Sequence, residues 1–248
     1  MGGGAGLSLS GRYQVVTERT VFAMPETAIG FFPDVGASHF LARTPGCLGL
    51  YLGLTGMRLD AADMVWAGLA SHHVPSARLE TLKERLSYAA TSPKPDEAIR
   101  EELDKAHVAP GQASYTERLE LIEQCFSPVA GVVGIMDALA GRREPWLVQA
   151  RERMAAASPT SLAVTYRQLT KNRGMSFEEA ISREYRMACA FLAGDEFAEG
   201  IRATVVDKDR APRWDPSTLA KVTSEDVDRF FHPVEDELSF EECPDGRA

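Results

Sequence analysis

The stretch whose reading decides the fold is residues 22–36, FAMPETAIGFFPDVG. It places two carboxylates, Glu26 and Asp34, among apolar and conformationally special residues, after TVFAM at 20–24 and before the helix-like GASHFLAR at 36–43. Pro25 fixes its own φ and biases Met24 toward extended backbone, which predicts a strand ending at Met24 with Glu26 at its tip. Gly30 and Gly36 permit turns that fold the chain back and carry Asp34 toward Glu26. A carboxylate held beside Ile29, Phe31 and Phe32 loses water and becomes a better base or nucleophile. The same letters also suit two solvated loop acids, because perturbed acids mark sites only as a matter of odds.

Upstream, MGGGAGLSLS at 1–10 is a glycine run entering a small-residue helix that stops at Ser10-Gly11. A helix start offers unpaired N–H groups and partial positive charge, and glycine there lets a ligand oxygen touch the backbone. RYQVVT at 12–17 and TVFAM at 20–24 read as two strands divided by Glu18-Arg19. Downstream, 37–43 and 48–54 have helical apolar spacing, broken by Thr44-Pro45-Gly46 and closed by Thr55-Gly56. Asp60 is placed to cap the helix that follows, and SHHVP at 71–75 reads as a short return strand. Period-3.6 patterns then cover 76–90, 95–107, 114–126, 129–141, 145–157 and 160–172. The clearest helix lies within 176–194, opened by a capping box of Ser176 with Glu179 and closed by Gly194. The tail from Ala211 is rich in proline and acids, and is expected to be irregular with short helices. The expected organisation is an αβ core over 1–75, a helical region of the same domain over 76–215, and a tail over 216–248.

With 248 residues, the chain is long enough to bury a substantial single-domain core. Its 44% apolar and 25% charged residues are ordinary for a soluble protein. A net charge of −9 argues against a nucleic-acid partner, since no basic patch is available to displace counterions from phosphates. Cys47, Cys125, Cys189 and Cys243 form no CxxC pair and read as reduced packing residues. No apolar run approaches the roughly 18–20 residues of a membrane span, so a soluble protein without a membrane partner is expected. The first residues show neither a signal-peptide nor a transit-peptide pattern.

The glycine run, the short strand pair and PETAIGFFPDVG, in that order, resemble the crotonase (enoyl-CoA hydratase/isomerase) superfamily, and within it the 3-hydroxyisobutyryl-CoA hydrolases. LGLTG at 52–56, AGLASHHV at 67–74, SPTSL at 158–162 and DEFAEGIRA at 195–203 with DKDRAPRW at 207–214 extend the resemblance over nearly the whole chain. It implies an α/β crotonase-like (ClpP/crotonase) fold with a largely helical C-terminal half, and hydrolysis of a 3-hydroxyacyl-CoA thioester in valine breakdown. By position, it assigns Gly3 as a backbone donor to the thioester oxygen, Glu26 as the acid acting on the acyl carbon, and Asp34 as the acid that holds the 3-hydroxyl and assists proton transfer. Glu26 would either attack directly, giving an anhydride that water opens, or activate water. CoA enters as part of the acyl-CoA substrate, and neither a separate cofactor nor a metal is expected.

Hydratases that use two glutamates carry one where this chain has Gly6, and commonly have glycine where it has Asp34, so the resemblance favours hydrolysis over hydration. A hydratase or isomerase, and a non-catalytic protein of the same fold, are the other readings. The family's pattern normally has further strands before the glycine run. These carry adenine-nucleotide contacts, the other oxyanion donor and a further acid, so the resemblance implies a fold incomplete at its N-terminus. The remainder would come from an upstream reading frame or another chain, or would be absent in a form of little activity; a homo-oligomer is a separate possibility for its partners. The location implied is cytoplasmic for a bacterial source and mitochondrial for a eukaryotic one. Ser8, His39 and the His72-His73 pair are expected to be structural. Lys208 and Arg210 are weaker candidates for approaching CoA.

Overall fold

The computed structural model describes residues 2–171 and 174–240. The chain enters through α1 (Gly3–Leu9) and β1 (Val15–Val16). A 3₁₀ turn at Glu26–Ile29 leads to α2 (Ala37–Phe40), α3 (Leu48–Thr55) and α4 (Ala61–Trp66). The next strand, β2 (His72–His73), runs parallel to β1, pairing Val15 with His72 and Val16 with His73. Helices follow: α5 (Leu79–Ala89), α6 (Pro95–Ala106), α7 (Leu119–Cys125), α8 (Gly131–Ala140), α9 (Pro145–Ala156), α10 (Pro159–Thr170), α11 (Phe177–Leu192) and α12 (Glu196–Ile201), with α13 (Ser224–Asp228) in the tail.

Two expected strands are corrected. The segment 12–17 pairs over only two residues, and 20–24 contributes a single antiparallel bridge, Phe22 to Leu59. A β-prone segment becomes a strand only where a neighbour completes its ladder, and among the described residues these segments have little alongside them. Glu26 accordingly does not sit at a strand tip. It opens the 3₁₀ turn, which Gly30 closes in left-handed conformation at φ 70° with its N–H on the Glu26 carbonyl.

Helix limits also move. The 37–43 pattern divides into α2 and a 3₁₀ turn at Leu41–Arg43, and 76–90 begins as a 3₁₀ turn at Ser76–Arg78. In 114–126 the α-helix starts only at Leu119, because the Ser114 hydroxyl and Tyr115 N–H are drawn to the Asp63 carboxylate at 3.2 Å. Asp60 caps its helix as expected, with Asp63 completing a capping box, and the capping box of Ser176 with Glu179 forms as its spacing predicts.

α3 is the centre of the larger core: each of its residues is buried, and it packs against α7, α9 and α10. Tyr51, wholly buried there, meets Tyr115, Phe126 and Trp146 edge-on. A second core gathers Phe31, Phe32, Val164, Met187 and Phe191 with Val227 and Phe230 of the tail. Phe31 and Phe32 therefore anchor the carboxylate segment in this core, with Phe191 5.4 and 5.6 Å from their ring centres. Truncating a fully buried phenylalanine removes its transfer energy and leaves a cavity. Phe32→Ala is expected to lower unfolding stability by about 3–5 kcal/mol in a denaturant titration. Leu7→Ala, at a side chain 83% exposed, should stay within about 0.5 kcal/mol of the parent.

Candidate active site

The backbone around Glu26 is fixed from several sides. A Cβ at Gly200 would lie 2.0 Å from the Ile29 carbonyl oxygen, so the missing side chain is what lets α12 rest directly on the 3₁₀ turn. Opposite, Ser158 N–H donates to the Thr27 carbonyl at 3.1 Å, and the Ser158 hydroxyl caps α10 by accepting from Ser161 N–H at 3.0 Å. The Ser158 and Thr160 hydroxyls both donate to the Glu196 carboxylate of α12, which ties α10 to α12 across the turn.

Held in this way, Glu26 is 8% exposed, and its Oε2 is buried with no hydrogen-bond partner. Burial, reinforced by the charge on Asp34, pushes its carboxyl up to about 7. Asp34 is thus near enough for its charge to act on Glu26. Asp34 is itself partly buried, and burial raises its carboxyl too. A buried carboxyl group with one oxygen free and titrating near neutrality is poised for proton transfer or nucleophilic attack.

Gly3 lies in the first turn of α1, exposed, with open space where a side chain would be. Its N–H is one of the groups at a helix start that has no acceptor within the helix. α1 docks through Gly6, where an added Cβ would fall 2.4 Å from the Cβ of Val35, the residue after Asp34. The glycine helix and the Asp34 turn are therefore in direct contact.

The residues expected to be structural are accounted for locally. Ser8 donates to its own helix at Gly4 O, 2.8 Å away. His72 pairs with Ser71 and Asp104, and His73 with the Val108 carbonyl. His39 meets Phe177 edge-on at 5.5 Å. Lys208 and Arg210 stand exposed on a turn whose acids, Asp207 and Asp209, are taken by Arg202. Cys125 is buried, Cys47 and Cys189 are partly so, and Cys243 lies outside the described residues.

Sequence reasoning missed Glu184, Gln168 and Glu196. Glu184 carried a legible signal: it falls second in an otherwise apolar stripe, Ala180, Glu184, Met187 and Phe191, where a charge is out of place. Its two oxygens accept from Gly36 N–H at 2.7 Å and Ser38 N–H at 2.8 Å.

The sequence model of the enoyl-CoA hydratase/isomerase family matches residues 1–231, and the chain belongs to that family. Among its curated relatives, an Arabidopsis thaliana protein named as a probable 3-hydroxyisobutyryl-CoA hydrolase is 44% identical over 98% of this chain and 66% of its own length. The mitochondrial 3-hydroxyisobutyryl-CoA hydrolase of Danio rerio is 40% identical over 95% of this chain and 62% of its own. A carnitinyl-CoA dehydratase from Mycobacterium thermoresistibile superposes with a TM-score of 0.87 at 36% identity, over 97% of this chain and 67% of that one. The fold is therefore crotonase-like, and the chain spans a little under two thirds of the length of these curated relatives. Among the described residues, no helix is long and apolar enough to cross a membrane.

The Glu26 shift sets a direction for stability against pH. An unfolded glutamate ionises near 4.5, whereas Glu26 in the folded chain ionises near 7, so between those values the folded state holds the extra proton. Stability contributed by Glu26 is thus intact below pH 4.5 and lost as pH rises to 7, by about 3 kcal/mol in all. Glu26→Gln removes that loss. In denaturant titrations it should be more stable than the parent at pH 8, and this advantage should disappear at pH 4.5.

Proposed function

We propose that the chain carries the acid pair of a 3-hydroxyacyl-CoA thioester hydrolase, with 3-hydroxyisobutyryl-CoA, an intermediate of valine breakdown, as its substrate. The observation that carries this reading is the Glu26 carboxyl: buried, with Oε2 unpaired, raised to about 7 and sensing Asp34. The names of the curated relatives add support.

In this reading, Glu26 Oε2 either bonds to the acyl carbon or takes a proton from the water that does. The C–S bond breaks, and the CoA thiolate leaves and takes up a proton. In the direct route, water then opens the glutamyl anhydride and regenerates Glu26, so that thioester and water become acid and thiol. Asp34 holds the 3-hydroxyl and relays the proton. The Gly3 amide donates to the thioester oxygen as negative charge builds there; such a donor typically contributes on the order of 10²–10³ in rate. The partner is accordingly an acyl-CoA, and the location is cytoplasmic in a bacterium and mitochondrial in a eukaryote.

Hydration of an enoyl-CoA by a pair of glutamates is the poorer fit. A second carboxylate at Gly6 has no room, because even a Cβ there collides with Val35.

The test is release of free thiol from 3-hydroxyisobutyryl-CoA by the full-length protein, with crotonyl-CoA as the comparison. Hydrolysis of the first without hydration of the second is expected. Glu26→Gln and Asp34→Asn should each lower kcat by at least about 10²-fold. Full rate in both variants would refute the assigned roles.

A further inference from the structure

Among the described residues, the chemistry above leaves two buried acids unused, Asp63, which completes the capping box of α4, and Glu184. Glu184 on α11 is 4% exposed, and burial pushes its carboxyl up to about 7 even though two backbone N–H groups oppose the shift. Those two donors, Gly36 at 2.7 Å and Ser38 at 2.8 Å, lie two and four residues after Asp34.

The turn between them is conformationally unusual. Val35 is a β-branched residue at φ 56°, and Gly36 follows at φ 94°. A β-branched side chain in the left-handed region is strained, and it persists there only when its surroundings hold it. The two left-handed residues make a tight turn that Ala37 N–H closes onto the Asp34 carbonyl at 3.0 Å, and the Gly36 and Ser38 N–H groups on either side of Ala37 are left to meet an anion. Glu184 supplies that anion from another helix. Gln168 of α10 braces the same segment, donating through Nε2 to Pro33 O at 2.7 Å and to the Ser38 hydroxyl at 2.8 Å.

Val35 is also the residue against which Gly6 of α1 packs. A relaxed turn would move Asp34 and the glycine helix together. Glu184 and Asp34 are close enough for the charge on Asp34 to raise the Glu184 carboxyl further.

We propose that Glu184 is a positioning residue for Asp34: its carboxylate grips the Gly36 and Ser38 amides, holds Val35 in its left-handed conformation, and so fixes both the acid and the glycine helix against it. The kinetic part of this proposal rests on the hydrolase reading above. Glutamine has only one accepting oxygen, so Glu184→Gln sets an NH₂ group against a backbone N–H donor.

The experiment compares Glu184→Gln with the parent in the full-length protein, on 3-hydroxyisobutyryl-CoA and alone. With substrate, kcat should fall by about tenfold to a hundredfold, while KM changes much less. In an Asp34→Asn background most of that loss should vanish, because Glu184 acts through Asp34. Equal fold-losses in both backgrounds, or an unchanged kcat, would overturn the proposal while leaving the hydrolase reading intact. Should the parent hydrolyse no 3-hydroxyacyl-CoA, the hydrolase reading fails and the ligand-free readouts decide. Hydrogen exchange at the Gly36 and Ser38 amides should then be faster in Glu184→Gln than in the parent. The Asp34 carboxyl-carbon resonance should shift as well, with core amides of α3 unchanged. Unaltered exchange and an unmoved Asp34 resonance would overturn the proposal independently of activity. If Glu184→Gln does not fold, Glu184→Asp serves for the same readouts, since its shorter carboxylate loses reach to one of the two amides.

Discussion

A buried carboxyl with one oxygen left without a hydrogen-bond donor is the constraint from which the rest of this structure follows. Glu26 Oε2 is buried and unpaired, close enough to Asp34 for the two charges to interact. Isolated buried charge is costly, and a protein ordinarily avoids it by pairing the group or exposing it. Here the carboxyl is buried with Oε2 unpaired, and its proton is retained to near neutrality instead. Such an arrangement is stable only if the backbone carrying the acid cannot relax toward solvent.

The surrounding fold supplies that rigidity. The 3₁₀ turn bearing Glu26 is pressed by α12 through Gly200 and tied to the start of α10 through Ser158. Phe31 and Phe32 anchor the next residues among Phe191, Phe230 and Met187, so the tail helix α13 and its neighbours help to hold the site. Asp34 lies on the far side of that anchor, in a turn gripped by Glu184 and Gln168. The two acids thus belong to one short segment but are fixed by different helices.

Much of this was legible in the sequence because it depends on local chemistry. Proline and glycine at 25, 30 and 36 announced a folded-back loop, and the loop does bring Asp34 toward Glu26. The cap at Asp60 and the capping box at Ser176 marked their helices because cap chemistry is confined to a few neighbouring residues. What failed depended on distant partners. The 20–24 segment has strand composition but gains only one bridge, and no local pattern reveals whether a ladder neighbour will be present. The start of α7 was displaced by a carboxylate 51 residues earlier in the chain. Glu184 was visible as a charge on an apolar stripe, but its partners lie across 146 and 148 residues and cannot be read from spacing. The small residue at Gly6 was noticed through resemblance, whereas its physical reason, contact with Val35, required the fold.

The central claim is that Glu26 is held dry and near its neighbouring acid, and a carboxyl-carbon NMR titration of Glu26 tests it most directly. The account predicts a midpoint near 7 in the parent, falling when Asp34 is replaced by asparagine. A Glu26 midpoint near 4.5, the value of a hydrated glutamate, and indifferent to Asp34, would contradict it.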